Sequence, residues 1–177
     1  MNGNNNQYNN QYNNQYANYS TSVEPPQNYP KENVFLGVLG AFLFSLAGGI
    51  LWYVLYQIGI LAAISGFVGT FAAIYGYFIF SKNESMKGIV IGVIFSLLTL
   101  VLAWYLCIAT DVFNVYKEWY AMGEIDYQIT FGEALQSVPL FMTEPEIAFN
   151  YWKDLVIGII FAVAGSIKPV LSFKDII

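Results

Sequence analysis

Few residues in this chain are able to do chemistry, and they are unevenly placed. Ser166 and Lys168 stand together near the C-terminus, and a serine beside a lysine can act as nucleophile and base. On a helix, however, residues i and i+2 point away from each other, so this pair does not assemble. Lys168 is the one charge inside the apolar run that surrounds it. A cation at that depth is either a functional site or a side chain that snorkels to the headgroups. The few residues separating it from the end of the run favour snorkelling. Cys107 is the single cysteine, and its apolar neighbours Leu106 and Ile108 make it a packing residue. One cysteine gives no intramolecular disulfide and no thiolate metal cluster. There is no histidine, which removes His-based acid–base catalysis, Ser-His triads and His metal ligands.

The carboxylates concentrate in residues 111–154. Asp111, Glu118, Glu124, Asp126, Glu133, Glu144, Glu146 and Asp154 stand there against Lys117 and Lys153 only. Phe113, Tyr116, Trp119, Tyr120, Tyr127 and Phe131 interleave with them. Such a segment can bind cations or a basic partner, or it is simply a solvated loop. It has no Asp-x-Asp-x-Asp spacing with a glycine turn, so it is no EF-hand. The apolar runs hold no paired carboxylates for acid–base catalysis. They also lack the midplane ionisable group a coupled transporter carries. Ser45, Ser65, Thr70, Ser96 and Thr99 are too few to line a channel. No catalytic, cofactor-binding or metal-binding residue is assigned, and the chain reads as a non-enzyme without a cofactor.

Composition sets the frame for those residues. The chain has 177 residues, 56% hydrophobic and 11% charged, with a mean hydropathy of +0.49. Soluble domains carry roughly 25% charged residues, so a multi-pass membrane protein is the class left. The net charge of −5 offers no basic patch and argues against nucleic acid as a partner.

The elements follow from charge-free runs. Val34 to Phe80 is 47 residues without Asp, Glu, Lys or Arg. One bilayer crossing takes about 20 helical residues, so this run is two helices with a tight turn near Tyr56-Gln57 and Gly59. The spans predicted are about 34–56, 59–80, 88–110 and 155–173, with Asp111 closing the third. Residues 111–154 form an external loop. Within it Thr130-Phe131-Gly132-Glu133 reads as a capping box that starts a short amphipathic helix ended by Pro139. Thr143-Glu144-Pro145-Glu146 reads as a second box that runs on into the fourth span. Pro169 kinks or ends that last helix. The fold class expected is all-α, a four-helix transmembrane bundle.

Every span carries small residues at spacing four. They are Gly37, Ala41, Ser45 and Gly49; Ser65, Gly69 and Ala73, with Ala62 and Gly66 beside them; Gly88, Gly92 and Ser96; and Gly158, Ala162 and Ser166. In lipid such ridges drive helix association. They are consumed inside the monomer, or one of them makes a homo-oligomer.

Residues 1–32 form a separate tail. Asn-Asn-Gln-Tyr repeats at 5–8, 9–12 and 13–16, with a degenerate copy at 17–20, and Pro25, Pro26 and Pro30 follow. No aliphatic periodicity offsets chain entropy, so the tail is expected to be disordered. It is either a docking segment for a membrane or cytoplasmic protein partner, with Tyr8, Tyr12, Tyr16 and Tyr19 as contacts, or a tolerated repeat expansion. The first apolar run starts far from Met1, so no cleavable signal peptide is expected, and the first helix acts as a signal anchor.

Lysine counting sets the orientation. Lys31, Lys82, Lys87, Lys168 and Lys174 fall on one side and Lys117 and Lys153 on the other. Both termini are thus expected in the cytoplasm. Trp52, Trp104 and Trp152 fall at the outer ends of the spans, where indoles prefer the interface.

In the order of these features the chain resembles an uncharacterised group of multi-pass, four-helix membrane proteins of Gram-positive bacteria. The residues that carry the likeness are Gly37 to Gly40, Leu51-Trp52-Tyr53, Gly59 to Gly66, Tyr75-Gly76-Tyr77 and Ala103-Trp104-Tyr105. Phe131-Gly132-Glu133-Ala134, Pro139, Glu144-Pro145-Glu146 and Asp154-Leu155 complete it. The likeness covers about 34–170 and leaves the tail outside. It implies a bacterial cell (inner) membrane and brings no catalytic residue. The function expected is a non-enzymatic scaffold or accessory protein, the alternative being a small-solute or lipid transporter or permease subunit.

Overall fold

A computed structural model of the chain describes residues 31–58 and 63–174. The repeat tail through residue 30, and the expectation of disorder made for it, lie outside the described residues. The described chain is helical, with no strand among the described residues. The helices are α1 (Val34–Gln57), α2 (Ile64–Ser81), α3 (Met86–Met122), α4 (Phe131–Phe141) and α5 (Pro145–Lys174). Four of them, α1, α2, α3 and α5, are long and apolar enough to cross a membrane. Large apolar side chains point outward along them, among them Phe35, Ile50, Leu98, Leu102 and Ile160. A soluble domain does not leave that much apolar surface in water.

Side-chain caps fix where two of the helices begin. The Leu36 N–H donates to Asn33 Oδ1 at 3.2 Å, which starts α1. The Gly88 N–H donates to Ser85 Oγ at 3.2 Å, which starts α3. Each side chain accepts from one of the donors that a helix N-terminus leaves without a partner. Lys82, at φ 58°, turns the chain out of α2.

Helix α3 departs most from expectation. Asp111 was expected to close it, but the helix continues to Met122 and has 37 residues. At about 1.5 Å per residue it is roughly 56 Å long, against a hydrocarbon core of about 30 Å. Asp111 ends the apolar run, but nothing near it breaks a helix. Gly123 does, at φ +77°. Its N–H donates to Tyr120 C=O at 3.1 Å and the Glu124 N–H to Trp119 C=O at 2.9 Å. These are the two bonds of a Schellman stop, which favours glycine for its left-handed backbone.

The expected 111–154 loop is therefore mostly helix. The capping box at α4 forms as read. Thr130 Oγ1 accepts from the Glu133 N–H at 3.3 Å, and Glu133 Oε2 accepts from the Thr130 N–H at 2.6 Å. The second box does not form as expected. The Thr143 hydroxyl donates back to Leu140 C=O at 2.7 Å. The first bond of α5 runs from the Ala148 N–H to Glu144 C=O at 2.9 Å, with Pro145 in the first helical position, where its missing N–H costs nothing.

Neither proline ends its helix. Pro139 lies inside α4 and Pro169 inside α5. In α4 the reason is visible. A residue at 139 would normally donate to Leu135 C=O, and proline has no N–H to give. The Tyr105 hydroxyl of α3 donates to Leu135 C=O instead, at 2.8 Å. Ala134 and Val138 are buried beside it, so α4 is held onto α3 at the carbonyl the proline leaves open.

The bundle is assembled at glycines. Helix α2 packs on α1, α3 and α5, and α3 packs on α1, α2, α4 and α5. α1 and α2 run antiparallel and touch backbone to backbone. A Cβ on Gly40 would overlap Gly76 C=O, and one on Gly76 would lie 2.7 Å from Gly40 C=O. Gly48 and Gly69 meet in the same way. Gly88 makes room for the Tyr77 ring, and Gly92 for Ile74. Close approach of this kind, with its dispersion contacts, holds helices together in lipid.

The small-residue ridges are used inside the monomer, with a shifted register. On α5 the buried line is Leu155, Gly158, Ala162, Gly165 and Pro169, and Ser166 is off it. Residues four apart drift about 40° per step on a 3.6-residue helix, whereas alternating steps of three and four stay on one seam. For the same reason Gly48 contacts α2, while Gly49 faces Thr99 of α3.

Trp52 corrects the expected belt. It is 1% exposed, inside the bundle, against Gly158. Of the three tryptophans expected in the belt, Trp152 alone, at 52% exposed, stands at the surface. Trp104 is buried against it, with ring centroids 5.1 Å apart, and donates from Nε1 to Tyr151 C=O at 2.8 Å.

Three substitutions test this packing. Gly48→Val should separate α1 from α2 and destabilise the detergent-solubilised protein by about 1–3 kcal/mol. Gly132→Ala, whose Cβ would meet nothing nearer than 3.9 Å, should be neutral or stabilise by up to about 1 kcal/mol; equal melting shifts for the two would contradict this packing. Tyr105→Phe should leave Leu135 C=O unpaired, cost about 1–2 kcal/mol and speed amide exchange in α4 more than in α2.

Candidate functional site

The polar side chains of the membrane domain gather in three places. At one end of the bundle, Asp111 of α3 sits between two tyrosines. Its Oδ2 accepts from the Tyr56 hydroxyl of α1 at 2.5 Å and from the Tyr151 hydroxyl of α5 at 2.7 Å. Next to it the Tyr53 and Thr110 hydroxyls share a bond of 3.1 Å, and Thr110 also donates to Leu106 C=O at 2.8 Å. One half-buried carboxylate thus joins α1, α3 and α5. Hydrogen bonds to a charged acceptor are the strong ones, and here they join α1 to α5, which also meet where Trp52 packs against Gly158.

The opposite end has a smaller counterpart. Glu32 Oε1 accepts from the Ser85 hydroxyl at 2.6 Å and from the Tyr77 hydroxyl at 2.9 Å. The Asn33 N–H donates to Ser81 C=O at 3.2 Å. Residues just before α1 are thereby tied to α2 and to the start of α3. The Ser85 bond, then the Tyr77 bond, hold the Glu32 carboxyl below the usual glutamate range.

In the middle, the hydroxyls set aside as too few for a channel converge. Ser45, Ser65, Thr70 and Ser96 are all buried. Thr70 and Ser96 share a bond of 2.6 Å. Ser45 donates to Phe42 C=O at 2.7 Å and Thr99 to Phe95 C=O at 2.8 Å. Ser45, Ser65, Ser96 and Thr99 line, with Trp52, a void of about 10 Å³, room for one water and too small for a solute path. Bonding within the helices answers the cost of a bare polar group in hydrocarbon.

The remaining chemistry-bearing residues stay apart. Lys168 is exposed on α5, and Ser166 donates to Val163 C=O at 2.7 Å. Cys107 is buried. The buried Trp52 indole N–H has no hydrogen-bond partner among the described residues. Among the described residues no three of His, Cys, Asp and Glu converge on a common point.

A larger concavity lies on the flank. It measures about 420 Å³ and runs between α1 and α3, with Phe131 of α4 at its end. Leu46, Ile50, Leu102 and Leu106 form its walls, together with Tyr53 and Thr99.

Sequence reasoning missed the two carboxylate clasps. It took Asp111 as a boundary and Tyr56 as a turn marker. One signal was available: Tyr53 and Tyr56 at i and i+3 share a helix face, as Thr110 and Asp111 share the end of the third apolar run. Nothing in the sequence joins Tyr151 to them.

Two tests address the clasps. Asp111→Ala should strand two phenols and cost about 3 kcal/mol, and Asp111→Asn about 1 kcal/mol; melting curves in detergent check the order. A depressed Glu32 pKa means its contribution is present above the ordinary value of about 4.3 and lost as pH falls through the lower folded value. Acid melts of the wild type should show that loss, and Glu32→Gln should flatten it.

No protein-family model, no curated protein and no solved structure matches this chain.

Proposed function

We propose that this chain is an integral membrane scaffold or accessory protein without enzymatic activity, resident in a bacterial cell membrane with both termini in the cytoplasm. The observation that carries this reading is the closed centre of the bundle. Its glycines bring α1 and α2 into backbone contact, and its hydroxyls are bonded around a void of about 10 Å³. A bundle of this kind anchors, and its extramembrane parts recruit. On this reading the Asn/Gln/Tyr tail meets a membrane or cytoplasmic partner. The far ends of α3 and α5, with α4, form an acidic aromatic cap on the other side. Lipid is the surrounding partner, and self-association stays open because apolar surface remains on every long helix.

The test is crosslinking and affinity purification from native membranes, with the full chain and with a chain lacking residues 1–32. A partner recovered by the first and lost by the second is the expected result. Solute flux or hydrolysis by the purified protein in vesicles would overturn it.

A lipid transporter or permease subunit is the second reading, favoured by the flank groove of about 420 Å³. Neither Asp111 nor Lys168 lines that groove or the central void. Cysteines placed at both positions and reached by aqueous thiol reagents through a common cavity would favour this reading over the scaffold.

A further inference from the structure

We propose that the groove between α1 and α3 is a binding site for one acyl chain of a membrane lipid whose headgroup carries an ammonium. The proposal rests on the reading that α1 and α3 cross a bilayer. Three observations carry it. The first is depth. The walls come from residues 46–53 of α1 and 99–106 of α3, inside the apolar stretches of both helices. At that depth water and soluble peptides have no access, and hydrocarbon is the solvent.

The second observation is that the groove is built. Its volume of about 420 Å³ lies in the range of small-molecule sites. Phe131 of α4 lines the groove and packs edge-on against Phe113 with centroids 6.1 Å apart. The helix carrying Phe131 is fastened to α3 by the Tyr105–Leu135 bond of 2.8 Å. That bond uses the carbonyl that Pro139 leaves free, so the place of Phe131 at the groove follows in part from a proline in the sequence.

The third observation is charge. Tyr53, at the groove, bonds Thr110, which is followed in the chain by the Asp111 carboxylate. Phe131 is followed two residues later by the exposed Glu133. No lysine lines the groove. Residues 111–154 hold eight acids and two lysines. An anionic headgroup is repelled at this end of the bundle, and an ammonium is attracted.

The experiment uses the full chain in nanodiscs of mixed phosphatidylethanolamine and phosphatidylglycerol. A trace of either lipid carries a photoactivatable acyl chain, and labelled peptides are quantified. Ile160, Val163 and Ile167, exposed on α5, report bulk lipid. The expected result is labelling of 46–53 and 99–106 above that reference, with the ethanolamine lipid ahead by about fivefold, the effect of roughly one surface charge. Ile50→Trp and Leu102→Trp should remove the excess. Both positions are exposed, at 66% and 61%, so the bundle core is untouched. Labelling no higher than at α5, equal labelling by the glycerol lipid, or crosslinks from this face to another protein or a second copy would each overturn the proposal while the membrane reading stands. Failure to label α5 as well would overturn both.

Discussion

Everything in this bundle depends on how closely α1 and α2 approach. Gly40 against Gly76 and Gly48 against Gly69 put two backbones in contact. Between lipid-facing helices the hydrophobic effect is absent, so dispersion at short range and polar bonding supply the association. A side chain at any of the four positions would push the helices apart and forfeit much of that attraction. The close pair then sets the positions of the other spans. Gly88 and Gly92 let α3 close over Tyr77 and Ile74, and Gly158 opens a place for Trp52.

Polar bonds fasten what the glycines bring together, and they do so at the ends and at the centre. Asp111 ties three helices through two phenols. Glu32 ties the entry of α1 to α2 and to the cap of α3. Between them the hydroxyls bond one another or their own helix carbonyls. In hydrocarbon an unbonded polar group costs several kcal/mol, so the hydroxyls in the spans find their answer locally or across a helix contact, and the buried Trp52 N–H is the exception among the described residues. The same logic explains α4. Pro139 removes a donor, the freed carbonyl attracts Tyr105, and a helix that the sequence seemed to end is held over the flank of α3.

The places where the sequence misled are instructive. Asp111, Pro139 and Pro169 look like punctuation, because charge and proline interrupt apolar runs and helices taken one at a time. Each is accommodated inside a helix. For Asp111 and Pro139 the accommodating partners are visible in other helices: Tyr56 and Tyr151 lie 55 and 40 positions from Asp111, and Tyr105 lies 30 positions from Leu135, the carbonyl that Pro139 leaves open. Trp52 looks like an interface residue until Gly158 makes room for it. The tryptophan belt, the loop at 111–154 and the four-residue ridges were all one-dimensional regularities that packing rearranged.

The sequence by itself determined the class and the elements: apolar spans long enough to cross a bilayer, four in number among the described residues, a capping box at Thr130, and small residues spaced to bury one face of each span. These are local properties, set by composition and by the helical period. Only the tertiary structure decided which glycines touch, that Asp111 gathers Tyr56 and Tyr151, and that Phe131 of α4 lines a groove between α1 and α3. Those outcomes depend on the rotation and register of one helix against another. In lipid, contacts of sub-ångström tolerance choose that register, and no single strand of sequence encodes such distances.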